Sequence, residues 1–281
     1  MILTEVCRPK SKVSLFRTQE TPSTKALWEA PVYRSPQYVE HEVTRHTCTI
    51  SCHCVCSEAD DFISCMPNDM ATEKSDLLLK LGAEVERVKP APIVDQNQFV
   101  NLARTRAKEH TENKEKPGRG LFADQFENEA NWRAHFTGTG PEIYEQTGGR
   151  VDAFVNGAGT GGTISGVALF LKSKLPEVKI VLADPQGSGL YNKVKYGVMF
   201  DPKEREGTRR RHQVDTIVEG IGINRVTQNF EAGRELIDDA IRVTDEQATG
   251  MARWLVEHDG IFVGSSSAVN CKWSTIVQLH N

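Results

Sequence analysis

No stretch of the chain approaches the roughly 20 consecutive apolar residues that a membrane-spanning helix needs. The opening residues 1–19 hold Glu5 as their sole acid and lack the apolar core of a secretory signal. Their basic, serine-bearing character leaves a mitochondrial presequence as the targeting alternative to a plain cytoplasmic protein. There is no excess of positive charge either: 34 Lys and Arg face 38 Asp and Glu, for a net charge of -4. Binding to a nucleic-acid backbone needs a clustered basic face, so nucleic acid is excluded as the main partner. The one dense basic run, Arg209-Arg210-Arg211-His212, reads as a solvated turn. The 7 cysteines form no disulfide framework, because an odd count without a signal peptide points to a reducing compartment. Six soft ligands crowd together at His46, Cys48, Cys52, His53, Cys54 and Cys56. A structural zinc site usually joins two ligand pairs across a longer loop, and the second pair is missing, so no metal is expected.

What is present is an alternation of strand-like and helix-like runs over most of the 281 residues. Residues 1–61 show little periodicity, and Pro22, Pro31 and Pro36 interrupt any long helix; they read as a degraded or disordered segment. Residues 62–145 read as a smaller α/β domain with a crossover. Strands are expected at 62–66 and 84–88, and residues 118–122 lead into another. Between them lie a helix with Leu77, Leu78 and Leu81 inward, stopped by Gly82, and a helix over 96–110 with Phe99, Val100, Ala103 and Ala107 inward. Residues 146–281 read as a second α/β domain, with strands at 151–155, 179–183, 216–218 and 261–263. Its helix over 163–175 turns Ile164, Val167, Ala168 and Leu171 inward. A further helix opens with a Thr244–Gln247 capping box and stops at Gly260, and the last begins near Ser265. The fold class is α/β, with mostly parallel sheets covered by helices.

The strongest local signal is Asn156-Gly157-Ala158-Gly159-Thr160-Gly161-Gly162-Thr163, set between a strand and a helix. Glycines let successive backbone N–H groups converge on an anion at a helix N-terminus, and Thr160 and Thr163 add hydroxyl donors. A phosphate is the natural guest. Two phosphate chemistries compete. Gly157, Gly159 and Gly162 also satisfy the dinucleotide pattern GxGxxG, with Asp184 after the next strand placed for ribose hydroxyls, so an NAD-binding enzyme is an alternative. No lysine follows the glycines, which excludes a nucleoside-triphosphate loop.

Further motifs decide between them. The chain carries Ala123-Asp124-Gln125-Phe126, Thr139-Gly140-Pro141-Glu142-Ile143, Asp184-Pro185-Gln186-Gly187-Ser188-Gly189-Leu190-Tyr191, Val218-Glu219-Gly220-Ile221-Gly222 and Gly264-Ser265-Ser266-Ser267-Ala268. In this order, with the glycine–threonine loop, they resemble the cysteine synthases, or O-acetylserine sulfhydrylases, most of all the fungal branch. The resemblance runs over roughly 62–270. It implies a two-domain fold of the pyridoxal-phosphate type II (tryptophan-synthase-β-like) class with an incomplete N-terminal domain.

It also implies pyridoxal 5'-phosphate as cofactor, an amino-acid substrate and pairing into a homodimer. By the same resemblance Gly159, Thr160, Gly161, Gly162 and Thr163 cradle the phosphate, Ser266 meets the pyridine nitrogen, and Gly220 and Gly222 flank the ring. The bare reading of Ser266 is a helix N-cap. Gln125 and Thr44 fall where the family grips the substrate carboxylate. The expected reaction replaces the acetate of O-acetyl-L-serine by sulfide, using one lysine that holds the cofactor and shuttles the Cα proton.

The chain departs from the family at that lysine. The nearest approach is Pro22-Ser23-Thr24-Lys25, followed by Ala26-Leu27 where the family has Asp-Arg. Lys25 is the sole candidate, with a solvated lysine as its rival reading. Around Thr44 the family's glycines have become Val43, His46 and Thr47, which do not freely adopt positive φ. The cysteine cluster then reads as degraded family sequence. After Asn270 the chain ends sooner than the family does. A product truncated at both ends is expected, with weak or no turnover, and the alternative role is a catalytically inactive relative that binds ligands or pairs with subunits.

Overall fold

The computed structural model describes residues 4–8, 11–16, 62–68, 72–91, 93–115, 120–201 and 216–279, with side chains placed within 62–272. In chain order the strands are β1 (Thr4–Arg8), β2 (Ser11–Phe16), β3 (Ile63–Pro67), β4 (Glu84–Val88), β5 (Ala153–Asn156), β6 (Lys179–Pro185) and β7 (Asp239–Val243). The α-helices are α1 (Thr72–Lys80), α2 (Phe99–Glu112), α3 (Ala130–Ala134), α4 (Gly140–Gln146), α5 (Gly162–Lys174), α6 (Leu190–Tyr196), α7 (Gln228–Glu231), α8 (Asp245–Trp254) and α9 (Ser265–Leu279). One π-helical turn, His135–Thr139, joins α3 to α4, and another, Leu255–Asp259, extends α8. Two compact units result. One holds the described residues from 62 to 130; the other gathers β1, β2 and the described residues from 131 onward. The break thus falls at 130, not at the expected 145. The helices over 130–146 go with the glycine loop because they pack on α5, as described below.

In the 62–130 unit, β3 and β4 pair in parallel, from Ile63 opposite Glu84 to Pro67 opposite Val88. Gly82 at φ +89° turns the chain from α1 into β4, with its N–H on Leu79 O and the Ala83 N–H on Leu78 O. Met66, Leu78 and Ala83 form a small core flanked by Phe62, Leu81 and Val85. Leu77, expected inward, is 44% exposed, since the buried face of α1 runs through Ser75 and Leu78, three residues apart, and Leu77 lies off it. Gln98 caps α2 by accepting from Val100 N at 2.7 Å, and Arg106 ties α2 to β4 through a bidentate pair with Glu86 at 2.7 and 3.1 Å. The strand that 118–122 is expected to lead into is absent: residues 120–129 are irregular chain and turn. A Cβ on Gly120 would lie 2.0 Å from Ala107 O, so the segment lies on α2 and has no strand neighbour.

The larger unit carries a five-stranded sheet in the order β2-β1-β5-β6-β7. The last three strands are parallel, while β1 runs antiparallel to both β2 and β5. Strands thus occupy part of the N-terminal segment that the sequence marked as unstructured. All four residues of β5 are buried, as a strand covered on both faces requires. Helix α5 crosses from β5 to β6 with Ile164, Val167, Ala168 and Leu171 fully buried, the face its spacing predicts. Each large aliphatic side chain buried this way contributes about 1.5–3 kcal/mol. The capping box at α8 is present, with Gln247 N on Thr244 Oγ1 at 3.2 Å and Thr244 N on Gln247 Oε1 at 3.0 Å.

Two expected strands are absent here and an unexpected one is present. Residues 216–218 form no strand because Thr216 Oγ1 and Ile217 N–H both donate to the Asp245 carboxylate, the latter at 3.3 Å. Residues 261–263 form none because Ile261 N–H turns back to Leu255 O at 3.0 Å. The strand beside β6 is β7 instead, whose Asp239 and Arg242 disguise the buried Ala240 and Val243. Among the described residues no helix is long and apolar enough to cross a membrane.

Candidate functional site

The glycine loop leaves the buried end of β5 and enters α5, so its backbone lies where strand and helix are both anchored. Close approach dictates its composition. A Cβ on Gly159 would stand 2.4 Å from Gly220 O, and one on Gly162 would stand 1.9 Å from Asn131 Oδ1. Gly161, the residue before α5, has φ +85°, a left-handed conformation that side chains resist. Gly222 N–H donates to Ala158 O at 2.8 Å, so the 220–222 loop is fastened beside the glycines. Gly220 and Gly222 both have left-handed φ, +85° and +90°.

The two threonines are held from behind. Thr160 Oγ1 accepts from Asn131 Nδ2 at 3.0 Å and from Gly162 N at 3.4 Å. A hydroxyl has two acceptor sites and one donor, so the Thr160 O–H is left to donate elsewhere. Its carbonyl accepts from Thr227 Oγ1 at 2.6 Å, which fixes the backbone. Thr163 Oγ1 lies 3.2 Å from His135 Nε2, and His135 Nδ1 lies 2.9 Å from Thr139 Oγ1. The first turn of a thirteen-residue helix adds N–H groups without intrahelical acceptors and the positive end of the dipole. This donor set has the chemistry of an anion site, and a phosphate fits it.

Helix α9 brings the second expected group. It begins at Ser265, so Ser266 lies inside the first turn and the capping position falls to Gly264; the N-cap reading of Ser266 is corrected. Asn270, one turn on and on the same helix face, accepts the Gly157 N–H through Oδ1 at 2.7 Å in a buried contact. Ser266 has no hydrogen-bond partner among the described residues, and its helix is locked to the glycine loop by Asn270.

Asp184, the acid that a dinucleotide would need, is fully buried at the end of β6. Its Oδ2 accepts the Tyr191 N–H at 2.7 Å, and its Oδ1 has no partner among the described residues. Burial pushes its carboxyl up to about 7, against the opposing hydrogen bond from the Tyr191 N–H and the positive charge of Arg242. The carboxylate organises the turn into α6 and is closed to ribose hydroxyls, so the NAD-binding alternative loses its acid.

Gln125 is exposed in a turn of the 62–130 unit, next to Asp124, whose φ of +47° is unusual for a residue with a side chain. Lys25, Thr44 and the His46–Cys56 ligand cluster lie outside the described residues. Among the described residues no group of three His, Cys, Asp or Glu is placed to hold a metal. The sequence reading missed Asn131, His135 and Asn270. For the first two a signal existed: Gly162 and Gly166 are four apart on α5, a small-residue seam that calls for a close helix partner.

A family model for pyridoxal-phosphate dependent enzymes matches residues 47–274. Cysteine synthase 2 of Emericella nidulans is 71% identical over 216 residues, covering 74% of this chain and 50% of that protein. Cysteine synthase 2 of Schizosaccharomyces pombe is 64% identical over 216 residues, covering 77% and 55%. The chain spans about half the length of the curated relatives it matches. Among solved structures, O-ureido-L-serine synthase superposes with a TM-score of 0.66 at 24% identity, over 83% of this chain and 65% of that one, which establishes a shared fold. A match reaching from 47 to 274, on a fold that sets the glycine–threonine loop at a helix start, makes this chain a member of the pyridoxal-phosphate-dependent enzyme family.

Proposed function

We propose that loop 159–163 binds the phosphate of pyridoxal phosphate and that the chain derives from a cysteine synthase, which exchanges the acetate of O-acetyl-L-serine for sulfide. The observation that carries the cofactor assignment is Thr160, whose two acceptor positions are filled from behind so that its hydroxyl can only donate. The relatives named cysteine synthase support the reaction. When bound, the cofactor supplies the electron sink that lets acetate leave the substrate.

The chain's own residues bind and orient. Gly159, Gly161 and Gly162 bring backbone close to the phosphate, while Thr160 and Thr163 offer hydroxyls. Ser266 is proposed for the pyridine nitrogen. A neutral hydroxyl there would not keep that nitrogen protonated, so the cofactor would serve as a weaker electron sink than beside a carboxylate. Gly220 and Gly222 line the cofactor's side, and Gln125 and Thr44 are proposed for the substrate carboxylate. Lys25 is the candidate for covalent attachment and for moving the Cα proton. Ala26-Leu27 after it, in place of the family's Asp-Arg, favours a second reading in which the chain binds cofactor without turning over. A homodimer in the cytosol or the mitochondrion is the proposed setting.

Equilibrium dialysis of the purified chain tests the cofactor assignment. Pyridoxal phosphate should be retained in preference to pyridoxal, and inorganic phosphate should compete. Equal retention of the two vitamers removes the reading.

A further inference from the structure

Helix α5 presents Gly162, Gly166 and Phe170, four residues apart on one face, to the helical run from Asn131 to Gly140. A Cβ on Gly166 would lie 2.1 Å from Trp132 O and 2.7 Å from His135 Cβ; one on Gly140 would lie 2.7 Å from Phe170 Cβ. The two helices therefore touch backbone to backbone. That contact carries His135, buried at 4% exposure, up against Thr163, one turn before Gly166. The π-helical turn His135–Thr139 also places Thr139 Oγ1 within 2.9 Å of His135 Nδ1. Such turns gather at functional sites more often than elsewhere.

This chain of contacts has a proton-directional consequence. Neutral imidazole carries one hydrogen, so one ring nitrogen donates and the other accepts. If Nδ1 carried it, Nε2 would accept the Thr163 O–H, and that hydroxyl would be lost to any anion in the loop. If Nε2 carries it, Thr139 O–H donates to Nδ1, Nε2–H donates to Thr163 Oγ1, and the Thr163 O–H points onward. Only the second arrangement leaves Thr163 a donor.

Resting on the cofactor reading above, we infer that His135 is a positioning residue for phosphate binding. Held as the Nε2–H tautomer by Thr139, it commits the Thr163 hydroxyl to donate to the phosphate. Asn131 does the same for Thr160, so both threonines are aimed by side chains from one neighbouring helical run. His135 touches Thr163 and reaches the phosphate only through it.

The test uses pyridoxal phosphate and pyridoxal as probes on the purified chain. Thr163→Val and His135→Phe should each weaken pyridoxal phosphate about tenfold, the scale of a hydrogen bond to a charged group, and leave pyridoxal unchanged. His135→Gln, whose amide N–H sits where Nε2–H does, should recover most of the loss. The double variant His135→Phe/Thr163→Val should be no weaker than Thr163→Val alone, because the histidine acts through that hydroxyl. Additive losses, or an equal loss for pyridoxal, overturn the inference. Where His135→Phe does not fold, nitrogen-15 NMR of the unsubstituted chain decides: with pyridoxal phosphate bound, His135 must show a protonated Nε2 and a bare Nδ1. A protonated Nδ1 overturns the inference. If the unsubstituted chain shows no preference for pyridoxal phosphate over pyridoxal, the cofactor reading itself fails. A preference that Thr163→Val removes and His135→Phe preserves defeats this inference alone.

Discussion

Replacing Gly162 by alanine puts one carbon where the structure has none to spare. The new Cβ would lie 1.9 Å from Asn131 Oδ1 and 2.5 Å from its Cγ, far inside contact distance. Relief requires either a shift of the start of α5 or a swing of the Asn131 carboxamide. The swing breaks the 3.0 Å bond from Asn131 Nδ2 to Thr160 Oγ1. Overpacking of this kind costs about 1–3 kcal/mol. Loss of the hydrogen bond adds about 1 kcal/mol. The better helix propensity of alanine offsets up to about 1 kcal/mol. The net expectation is a loss of about 1–4 kcal/mol, read from urea melts followed by circular dichroism at unchanged m-value. Asn131→Ala removes the clashing atoms, so the double variant should be more stable than the two single losses added together predict. A Gly162→Ala melt that overlays the parent, or strictly additive single and double variants, would refute the packing argument. Phosphate affinity should fall with stability in Gly162→Ala, since the same swing frees the Thr160 hydroxyl from its fixed direction.

Asp184 predicts a pH dependence. A buried carboxyl raised from 3.8 to about 7 holds its proton more tightly folded than unfolded, so this group's contribution to stability falls as pH rises from about 4 to about 7. Asp184→Asn keeps an acceptor for the Tyr191 N–H and should flatten that slope; an unchanged slope in thermal melts across this window argues against the assignment. Asn270→Ala strands the buried Gly157 N–H, for a loss of about 1–3 kcal/mol and weaker cofactor retention. A neutral result in both readouts would show that water replaces the carboxamide there. For turnover, the chain should convert O-acetylserine and sulfide to cysteine negligibly even at saturating cofactor, because proton transfer by a positioned base is typically worth 10²–10⁴-fold. Borohydride treatment with pyridoxal phosphate should leave no lysine adduct. Robust turnover abolished by Lys25→Ala would make Lys25 the catalytic lysine after all.

Much of the site was legible in the chain because its signals are local. The run from Gly157 to Thr163 demands a strand before it and a helix after it, and the apolar spacing of Ile164, Val167, Ala168 and Leu171 names the buried face without reference to any neighbour. The capping box at Thr244 and Gln247 closes within four residues, so it too can be read alone. Expectations failed where a distant partner outbid local preference. Residues 216–218 have the β-branched character of a strand, yet the Asp245 carboxylate, brought near by folding, claims their donors. Asp239 and Arg242 look like surface, yet β6 enlists their segment as its neighbour.

By itself, then, the sequence determined that a glycine–threonine loop sits at the start of an α/β crossover helix, and which residues form it. Only the tertiary structure decided what stands behind that loop. Asn131 and His135 reach it from a helix packed across α5, and Asn270 reaches it from α9, at separations no periodicity encodes. It also decided that Asp184 faces inward to cap a turn and not outward to a ribose, because burial and orientation belong to the packed sheet and not to the residue.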